Sequence, residues 1–166
     1  MSWLETLFRV KDPDEQRMQF LGKVKLFENL VLGDIDFLLD ELREEQYDSG
    51  EWVFHEGEPG NSLYIVEEGE VEILKENEGG EDTSLARLKP GDFFGEMSLI
   101  RRGTRSASVR ATKRSVLLFL SEENFRDMLS RNHRTSLKIT YNIARVLSDR
   151  LDEMNEKLDR AEQSVS

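Results

Sequence analysis

Residues 95–109 read GEMSLIRRGTRSASV, and this stretch determines how the rest of the chain is interpreted. It follows Phe93-Phe94, which we expect to end a strand. Residues 96–100 have room for one helical turn, and the amides of that turn and of the next strand can donate hydrogen bonds to an anion. Arg105 adds a planar, permanently charged group whose donors suit phosphate oxygens. The stretch therefore predicts a site for a small anion.

Glu96 lies in the same stretch, although a carboxylate repels an anion. Its presence is explained if Glu96 accepts a hydrogen bond from a sugar hydroxyl while Arg105 neutralises a phosphate. The small side chains of Ser106, Ala107 and Ser108 would let the ligand approach the backbone, and Ser106 can also donate from its hydroxyl. The pattern thus predicts a ligand that carries a hydroxyl group near a phosphate.

The positive charge of the chain is concentrated in this region. The net formal charge is −11, yet the segment from Met97 to Ser121 contains no Asp or Glu. It contains six cations, namely Arg101, Arg102, Arg105, Arg110, Lys113 and Arg114. We expect four of them to be ordinary solvated charges: Arg101, Arg102, Lys113 and Arg114. The acidic balance of the whole chain argues against duplex DNA or RNA as a partner, because that affinity depends on neutralising many phosphates.

The composition excludes several other classes of protein. The chain of 166 residues is long enough for one domain with an appendage, and it has no cysteine, which excludes a disulfide framework and thiolate zinc sites. No secretory signal or bilayer-spanning stretch is present, so we expect a cytoplasmic location and no membrane partner. The only histidines, His55 and His133, do not suggest a metal site, which argues against a metal-binding cupin. We find no catalytic grouping and expect a protein that is not an enzyme and needs no cofactor.

The N-terminal part is predicted to be helical. A first apolar face consists of Trp3, Leu4, Leu7 and Phe8. A second helix is predicted to begin at Asp12-Pro13, with Met18, Leu21 and Val24 buried. A third is predicted to begin at Gly33-Asp34, with an apolar face of Ile35, Leu38, Leu39 and Leu42.

The middle of the chain is predicted to consist of short strands separated by glycines. The predicted strands are 52–55, 63–67, 70–76, 83–88, 106–112 and 116–120. Val71 and Ile73 alternate with Glu70 and Glu72, as in a strand with one buried face. Hairpin turns are predicted at 67–70 and 77–81. Short strands at near-regular spacing indicate an antiparallel β-barrel or jelly roll, so the predicted fold class is α+β.

The C-terminal part is predicted to return to helix. Ser121-Glu122-Glu123 is a favourable helix start, and a long pattern without Gly or Pro follows Asn132. Its apolar positions form a heptad seam: Leu137, Thr140, Ala144, Leu147, Leu151, Met154, Leu158 and Ala161. The first half of this seam is compatible with packing on the chain's own barrel. From Leu147 onward the seam favours self-association, which predicts a homodimer.

These motifs resemble the cyclic nucleotide-binding domain family, which includes the bacterial catabolite activator protein, the regulatory subunit of protein kinase A and the cyclic nucleotide-gated channels. GEMSLIRRGTRSASV resembles the phosphate-binding cassette of that family, EGEPGNSLYIVEEGEVEIL its glycine-bounded hairpin, and LKPGDFFGE the strand that enters the cassette. The resemblance extends from about residue 27 to residue 151. It implies a jelly roll with a short cassette helix and a long C-terminal helix.

The resemblance also implies roles for individual residues. The family's glutamate binds the ribose 2′-hydroxyl and its arginine binds the cyclic phosphate, and these roles fall on Glu96 and Arg105. The C-terminal helix of the family often covers the base, and the corresponding positions here are near Arg150 and Leu151, of which we select Arg150. The complete predicted ligand-binding set is Gly95, Glu96, Met97, Ser98, Arg105, Ser106, Ala107 and Arg150.

Two positions depart from the common family pattern. Thr104 stands where many members have proline, which implies a less rigid loop. Ser106 stands where family members that prefer cAMP often have Ala or Ser and those that read cGMP often have Thr. The resemblance therefore favours cAMP as the ligand and leaves cGMP as the alternative.

The sequence thus predicts a cyclic-nucleotide sensor that signals to an unknown effector protein by movement of its C-terminal helix. The predicted divisions are an N-terminal helical segment (1–24), a nucleotide-binding barrel (25–131), and a helix that acts as lid and candidate dimerisation coiled coil (132–166). Because the chain ends at Ser166, we expect no helix-turn-helix domain and no direct DNA binding. The alternatives are a nucleotide-free interaction module and, with less support, an enzyme that acts on a phosphosugar.

Overall fold

The computed structural model describes residues 13–165. The first predicted helix, with Trp3 and its apolar neighbours, lies outside the described residues. The described part contains a short 3-10 helix (Lys25–Phe27) and five α-helices. These helices are α1 (Pro13–Leu21), α2 (Leu32–Glu41), α3 (Met97–Ile100), α4 (Glu122–Arg131) and α5 (His133–Val165).

The two N-terminal helices follow the predicted pattern closely. Helix α1 starts at Pro13, and both Leu21 and Val24 are buried. Helix α2 starts at Leu32 rather than at Gly33, because the Asp34 carboxylate accepts a hydrogen bond from the Val31 amide at 3.1 Å and closes the first turn. The predicted apolar face of α2 packs into the core, with Ile35, Leu38 and Leu42 buried and Leu39 half-buried.

Ten strands form two four-stranded sheets and one small ribbon in the described part of the chain. They are β1 (Arg43–Tyr47), β2 (Trp52–Phe54), β3 (Pro59–Gly60), β4 (Ser62–Glu68), β5 (Val71–Glu76), β6 (Asp82–Leu88), β7 (Phe93–Phe94), β8 (Gly103–Thr104), β9 (Ser108–Ala111) and β10 (Ser115–Ser121). The sheet orders are β1-β10-β4-β7 and β2-β9-β5-β6, with β3-β8 as the ribbon. Every pairing is antiparallel. The predicted α+β jelly-roll architecture is confirmed.

Some predicted strand details were wrong. The turn at 67–70 is not a hairpin, because β4 pairs with β10 and β7 whereas β5 pairs with β6 and β9. The turn carries the chain from one sheet to the other, and there the Ser115 hydroxyl accepts a hydrogen bond from the Glu70 amide at 3.1 Å. A side chain on Gly69 would lie 2.3 Å from the Arg114 carbonyl oxygen, so this close crossing requires glycine.

The core consists of two clusters, one on each side of the first sheet. One cluster lies between the two sheets and includes Val66, Val71, Phe94, Val109 and Leu117. The other lies between the first sheet and the helices, where the opposite side of β4 and β10 meets α1, α2, α4 and α5 through Leu63, Ile65, Leu118, Leu120, Leu21, Ile35, Phe125 and Ile139. The helices are therefore part of the same folded unit as the barrel.

Helix α5 packs on the core with a different face from the predicted seam. Its buried apolar residues are Ile139, Ile143 and Val146, and the Asn142 amide donates to the carbonyls of Leu26 and Glu28 at 2.9 and 2.8 Å. In the first half of the seam, Leu137 is 68% exposed and Ala144 is also exposed, whereas Thr140 is half-buried, so the apolar members of that half do not pack on the barrel. In the second half of the seam, Leu147 is half-buried against the core, whereas Leu151, Met154 and Leu158 are exposed.

Candidate functional site

The eight predicted ligand-binding residues line one cavity of about 500 Å³. They are Gly95, Glu96, Met97, Ser98, Arg105, Ser106, Ala107 and Arg150. The cavity opens between the second sheet, helix α3 and the middle of helix α5. The folding of the chain therefore brings together residues that lie up to 55 positions apart in the sequence.

Arg105 lies in the wall of this cavity with its guanidinium 4.0 Å from the ring centroid of Phe54. Its Nη1 donates to the Ser62 carbonyl at 2.9 Å and to the Ser98 hydroxyl at 3.1 Å. Burial lowers the pKa of the Arg105 guanidinium, but an arginine side chain stays charged in proteins. The Nε of Arg105 is buried and has no hydrogen-bond partner among residues 13–165. The site thus holds a fixed positive charge with one buried donor that has no hydrogen-bond partner in the described part of the chain.

The backbone of Gly95 makes this position of Arg105 possible. Its φ is +76°, and a Cβ atom at this residue would lie 2.7 Å from the Arg105 Nη1 and 2.8 Å from the Ser62 carbonyl oxygen. Only glycine combines this backbone conformation with such a close approach. The glycine at the entry to the cassette is therefore required for the packing of the arginine at its exit.

Glu96 caps α3 and is almost completely buried, with 2% of its surface exposed. Its Oε1 accepts a short hydrogen bond from the Arg150 guanidinium, whereas its Oε2 has no partner in the described part of the chain. Glu96 and Arg105 line the same cavity without forming an ion pair with each other. A buried carboxylate and a buried guanidinium thus line one cavity, and each has one buried polar atom without a hydrogen-bond partner in the described part of the chain.

Arg150 reaches the cavity from α5, with its side chain half exposed and its guanidinium 5.7 Å from the Phe93 ring centroid. The structure places the Arg150 guanidinium against the Glu96 carboxylate, which was expected to bind a sugar hydroxyl. Arg150 therefore connects Glu96 directly to the C-terminal helix.

Three further α5 residues line the cavity and were not predicted: Glu153, Met154 and Lys157. They follow Arg150 by three, four and seven positions, so the helical period could have found them once Arg150 was selected. Leu151 does not line the cavity and is 59% exposed. The lid face of α5 is therefore more polar than the sequence analysis suggested.

The cassette loop is hydrogen-bonded to the loop between β2 and β3. The Arg105 amide donates to the Glu58 carbonyl at 2.7 Å, and the Gly57 amide donates to the Arg105 carbonyl at 2.9 Å. The Ser108 hydroxyl accepts from the Glu56 amide at 2.8 Å, so it serves the loop rather than the cavity. These bonds fix the path of the backbone through the cassette.

Two of the six cations in the basic segment line the cavity, namely Arg101 and Arg105. The other four contact side chains outside the cavity: Arg102 contacts Glu122, Arg110 contacts Glu72, Lys113 contacts Glu70 and Arg114 contacts Gln46. All four residues that were expected to be solvated charges are exposed, and Arg101 in addition lines the cavity.

Residues 13–165 contain neither a membrane-spanning helix nor a cluster of metal ligands. No helix there combines the length and apolar character needed to cross a bilayer. Nor do the described residues contain a group of three or more His, Cys, Asp or Glu side chains that would hold a metal ion.

The chain that forms this cavity is similar in sequence to known proteins. The sequence model of the family described as "Cyclic nucleotide-binding domain" matches residues 44–132. The chain is 37% identical to the cyclic AMP receptor protein of Thermus thermophilus over 134 residues, which cover 81% of this chain and 60% of that protein. It is 35% identical to human cGMP-dependent protein kinase 2 over 114 residues, which cover 68% of this chain but 15% of the kinase. The chain thus spans less than two thirds of the length of these relatives.

A solved structure agrees with the sequence match. The N-terminal domain of a transcriptional regulator from Streptomyces coelicolor A3(2) superposes with a TM-score of 0.74 and 30% identity. The superposition covers 81% of this chain and 94% of that domain.

Proposed function

The chain belongs to the cyclic nucleotide-binding domain family, and on that premise we propose that it is a sensor module that binds a cyclic nucleotide in the cavity beneath α5. It acts by binding rather than by catalysis, and it uses neither a metal nor another cofactor. Its place of action is the cytoplasm.

One observation carries this proposal: the buried charges of Glu96 and Arg105 face one cavity and do not pair with each other. The unpaired Oε2 of Glu96 is an acceptor for a hydroxyl, and the unpaired Nε of Arg105 is a donor for an anion. Burying such groups without a partner costs free energy. A ribose hydroxyl beside a cyclic phosphate supplies one donor and one anion, and so satisfies both groups.

We propose cAMP as the preferred ligand because of the side chain at position 106. Ser106 lines the cavity beside Arg105, as expected for a residue that meets the ligand. The family resemblance associates serine here more often with cAMP than with cGMP. The ratio of the two affinities tests this choice.

The signal is proposed to pass through α5. Arg150 holds one oxygen of Glu96, and three further α5 side chains line the cavity. A ligand that contacts Glu96 therefore changes the free energy of the helix placement in which Arg150 bonds Glu96. The population of α5 then shifts between this placement and other placements of the helix. The proposed output is a protein contact, because the net charge of −11 disfavours direct binding to DNA. Dimerisation through the exposed seam supplies one such contact.

A second candidate function is a nucleotide-free interaction module. The bond from Arg150 to Glu96 favours it, because that bond already satisfies half of the carboxylate. The exposed apolar seam of α5 would then be the functional surface.

Calorimetric titration of the nucleotide-stripped protein with cAMP and cGMP separates the two candidates. The sensor predicts a dissociation constant in the micromolar range or below for at least one of them. Absence of binding of either ligand at millimolar concentration would contradict the sensor and support the interaction module.

A further inference from the structure

Lys75, near the end of β5, contacts the cassette from outside the cavity. Its Nζ lies 2.8 Å from the Ser106 carbonyl oxygen and 2.5 Å from the Glu56 Oε1. Neither Lys75 nor Glu56 lines the cavity. Lys75 therefore links the loop that contains Glu56 to the cassette at Ser106, from outside the cavity.

This contact orients the peptide group between Ser106 and Ala107. The described residues contain no cis peptide bond, and in a trans peptide the carbonyl of one residue and the amide of the next point in opposite directions. Because the Ser106 carbonyl points outward to Lys75, the Ala107 amide points the other way. Ala107 itself lines the cavity that Arg105 also lines.

The other hydrogen bonds of this loop do not involve the peptide group between Ser106 and Ala107. The bonds that link the two loops involve the backbone of Arg105 and the hydroxyl of Ser108, on either side of it. In the described part of the chain, the Ser106 carbonyl has only the Lys75 ammonium as a hydrogen-bond partner. Without Lys75 this carbonyl has no hydrogen-bond partner in the described part of the chain.

We infer that Lys75 is a positioning residue for phosphate binding: it holds the Ser106 carbonyl outward so that the Ala107 amide donates to the phosphate beside Arg105. The inference rests on the proposed function. It assigns a role in ligand binding to a half-exposed lysine that does not touch the ligand. Charge-assisted bonds of this kind are stronger than neutral ones, which suits an anchor at a surface position.

The test compares four proteins: wild type, Lys75→Met, Lys75→Arg and Glu56→Gln. Lys75→Met removes the ammonium and keeps a long apolar chain, Lys75→Arg keeps a charged donor, and Glu56→Gln removes the ion-pair partner and leaves the bond to Ser106. The affinity of each is measured by calorimetry for cAMP and for adenosine, which lacks the phosphate. Thermal unfolding verifies that each variant is folded.

We expect Lys75→Met to weaken cAMP binding by about tenfold, the effect of losing one hydrogen bond to a charged group, and to leave adenosine binding unchanged. Lys75→Arg restores most of the affinity, and Glu56→Gln has a smaller effect than Lys75→Met. In the free protein, we expect the amide NMR resonance of Ala107 to move in Lys75→Met and to return in Lys75→Arg.

Three results would overturn the inference or its premise. Equal cAMP affinity of wild type and Lys75→Met contradicts the positioning role and leaves the proposed function intact. Equal weakening of cAMP and adenosine shows a general effect on the fold and also contradicts it. Failure of the wild-type protein itself to bind cAMP or cGMP contradicts the proposed function, and the inference fails with it.

Discussion

Arg105 and Glu96 are held by contacts that leave part of each side chain unused. Arg105 rests on Phe54 and donates to the Ser62 carbonyl, and Glu96 accepts from Arg150. A buried charge is costly unless it is paired and hydrogen-bonded. Both residues keep one unpaired buried atom, so a ligand with the matching groups gains free energy that would otherwise be lost. Ligand affinity should therefore depend strongly on both side chains.

Arg105→Ala is expected to weaken cAMP binding by about 2–5 kcal/mol, because the phosphate would lose its buried partner. Arg105→Lys should recover only part of the loss, since lysine cannot reproduce the planar arrangement of donors. Calorimetry gives both values, with Arg102→Ala as the matched control because Arg102 contacts Glu122 outside the cavity. Equal affinities of Arg105→Ala and wild type would remove Arg105 from the site.

Glu96→Gln should cost less than Arg105→Ala, about 1–3 kcal/mol for a hydrogen bond to a charged group. If Glu96 accepts from the 2′-hydroxyl, removing that hydroxyl should have the same effect as changing the residue. We therefore expect 2′-deoxy-cAMP to bind wild type and Glu96→Gln with nearly equal affinity. The opposite result in calorimetry is that the affinity lost through Glu96→Gln and the affinity lost by removing the 2′-hydroxyl simply add. That result would show that Glu96 contacts a different group of the ligand.

At the scale of elements, Asp34 links the start of α2 to the start of α5. It accepts from the Lys138 ammonium at 2.6 Å, the Thr135 hydroxyl at 2.7 Å and the Val31 amide at 3.1 Å. Burial alone would raise the pKa of Asp34, but the hydrogen bonds from Lys138, Thr135 and Val31 outweigh it and lower the pKa from 3.8 to about 2. This contact helps to fix the base of the helix that reaches the cavity.

The lowered pKa makes the contribution of Asp34 to stability depend on pH. The folded state favours the charged carboxylate, so the stabilisation is complete above pH 3.8 and is lost as the pH falls through about 2. Asp34→Asn should lower the free energy of unfolding by about 1–3 kcal/mol at pH 7, and the difference from wild type should shrink below pH 3.8.

Urea unfolding of wild type, Asp34→Asn and Asp36→Asn at several pH values measures this effect. Asp36 is an exposed residue of the same helix and serves as the control. A difference between wild type and Asp34→Asn that stays constant from pH 7 down to pH 2 would contradict the account.

The exposed seam of α5 predicts self-association. Leu151, Met154 and Leu158 are each exposed by more than half, at the a and d positions of two heptads. The double variant Leu151→Glu/Leu158→Glu should shift a dimer to monomer in analytical ultracentrifugation, because it places like charges in the seam. Gln163→Glu adds a charge on the opposite side of the repeat and should leave the dimer intact. A wild-type protein that sediments as a monomer at every concentration would contradict this use of the seam.

At the scale of the whole molecule, the sequence predicted the jelly roll and the members of the cavity better than the edges of the sheets. The cassette is a continuous stretch with unusual residue types, so its side chains are recognisable without knowledge of the fold. Strand β1 was missed because its residues, Arg43–Tyr47, lack apolar alternation and are mostly exposed. It joins the sheet by pairing along β10, from Arg43 opposite Phe119 to Tyr47 opposite Ser115.

The contribution of α5 to the cavity depends on geometry that sequence alone does not contain. The rotation of α5 is set by Ile139, Ile143 and Val146 in the core and by the bonds of Asn142 to the 3-10 helix. This rotation turns Arg150 towards Glu96 and leaves the seam residues Leu137, Leu151 and Leu158 exposed. An apolar repeat therefore did not reveal which face of the helix meets the barrel.

The most direct test of the account is the NMR resonance of the Arg105 Nε–H group during a titration with cAMP. This group is buried and unpaired among residues 13–165, and its signal is assigned by its disappearance in Arg105→Lys. We predict that the resonance moves as cAMP is added and saturates with the dissociation constant that calorimetry gives. A resonance that stays in place while calorimetry detects binding would show that the phosphate is held elsewhere, and would contradict the assignment of this cavity.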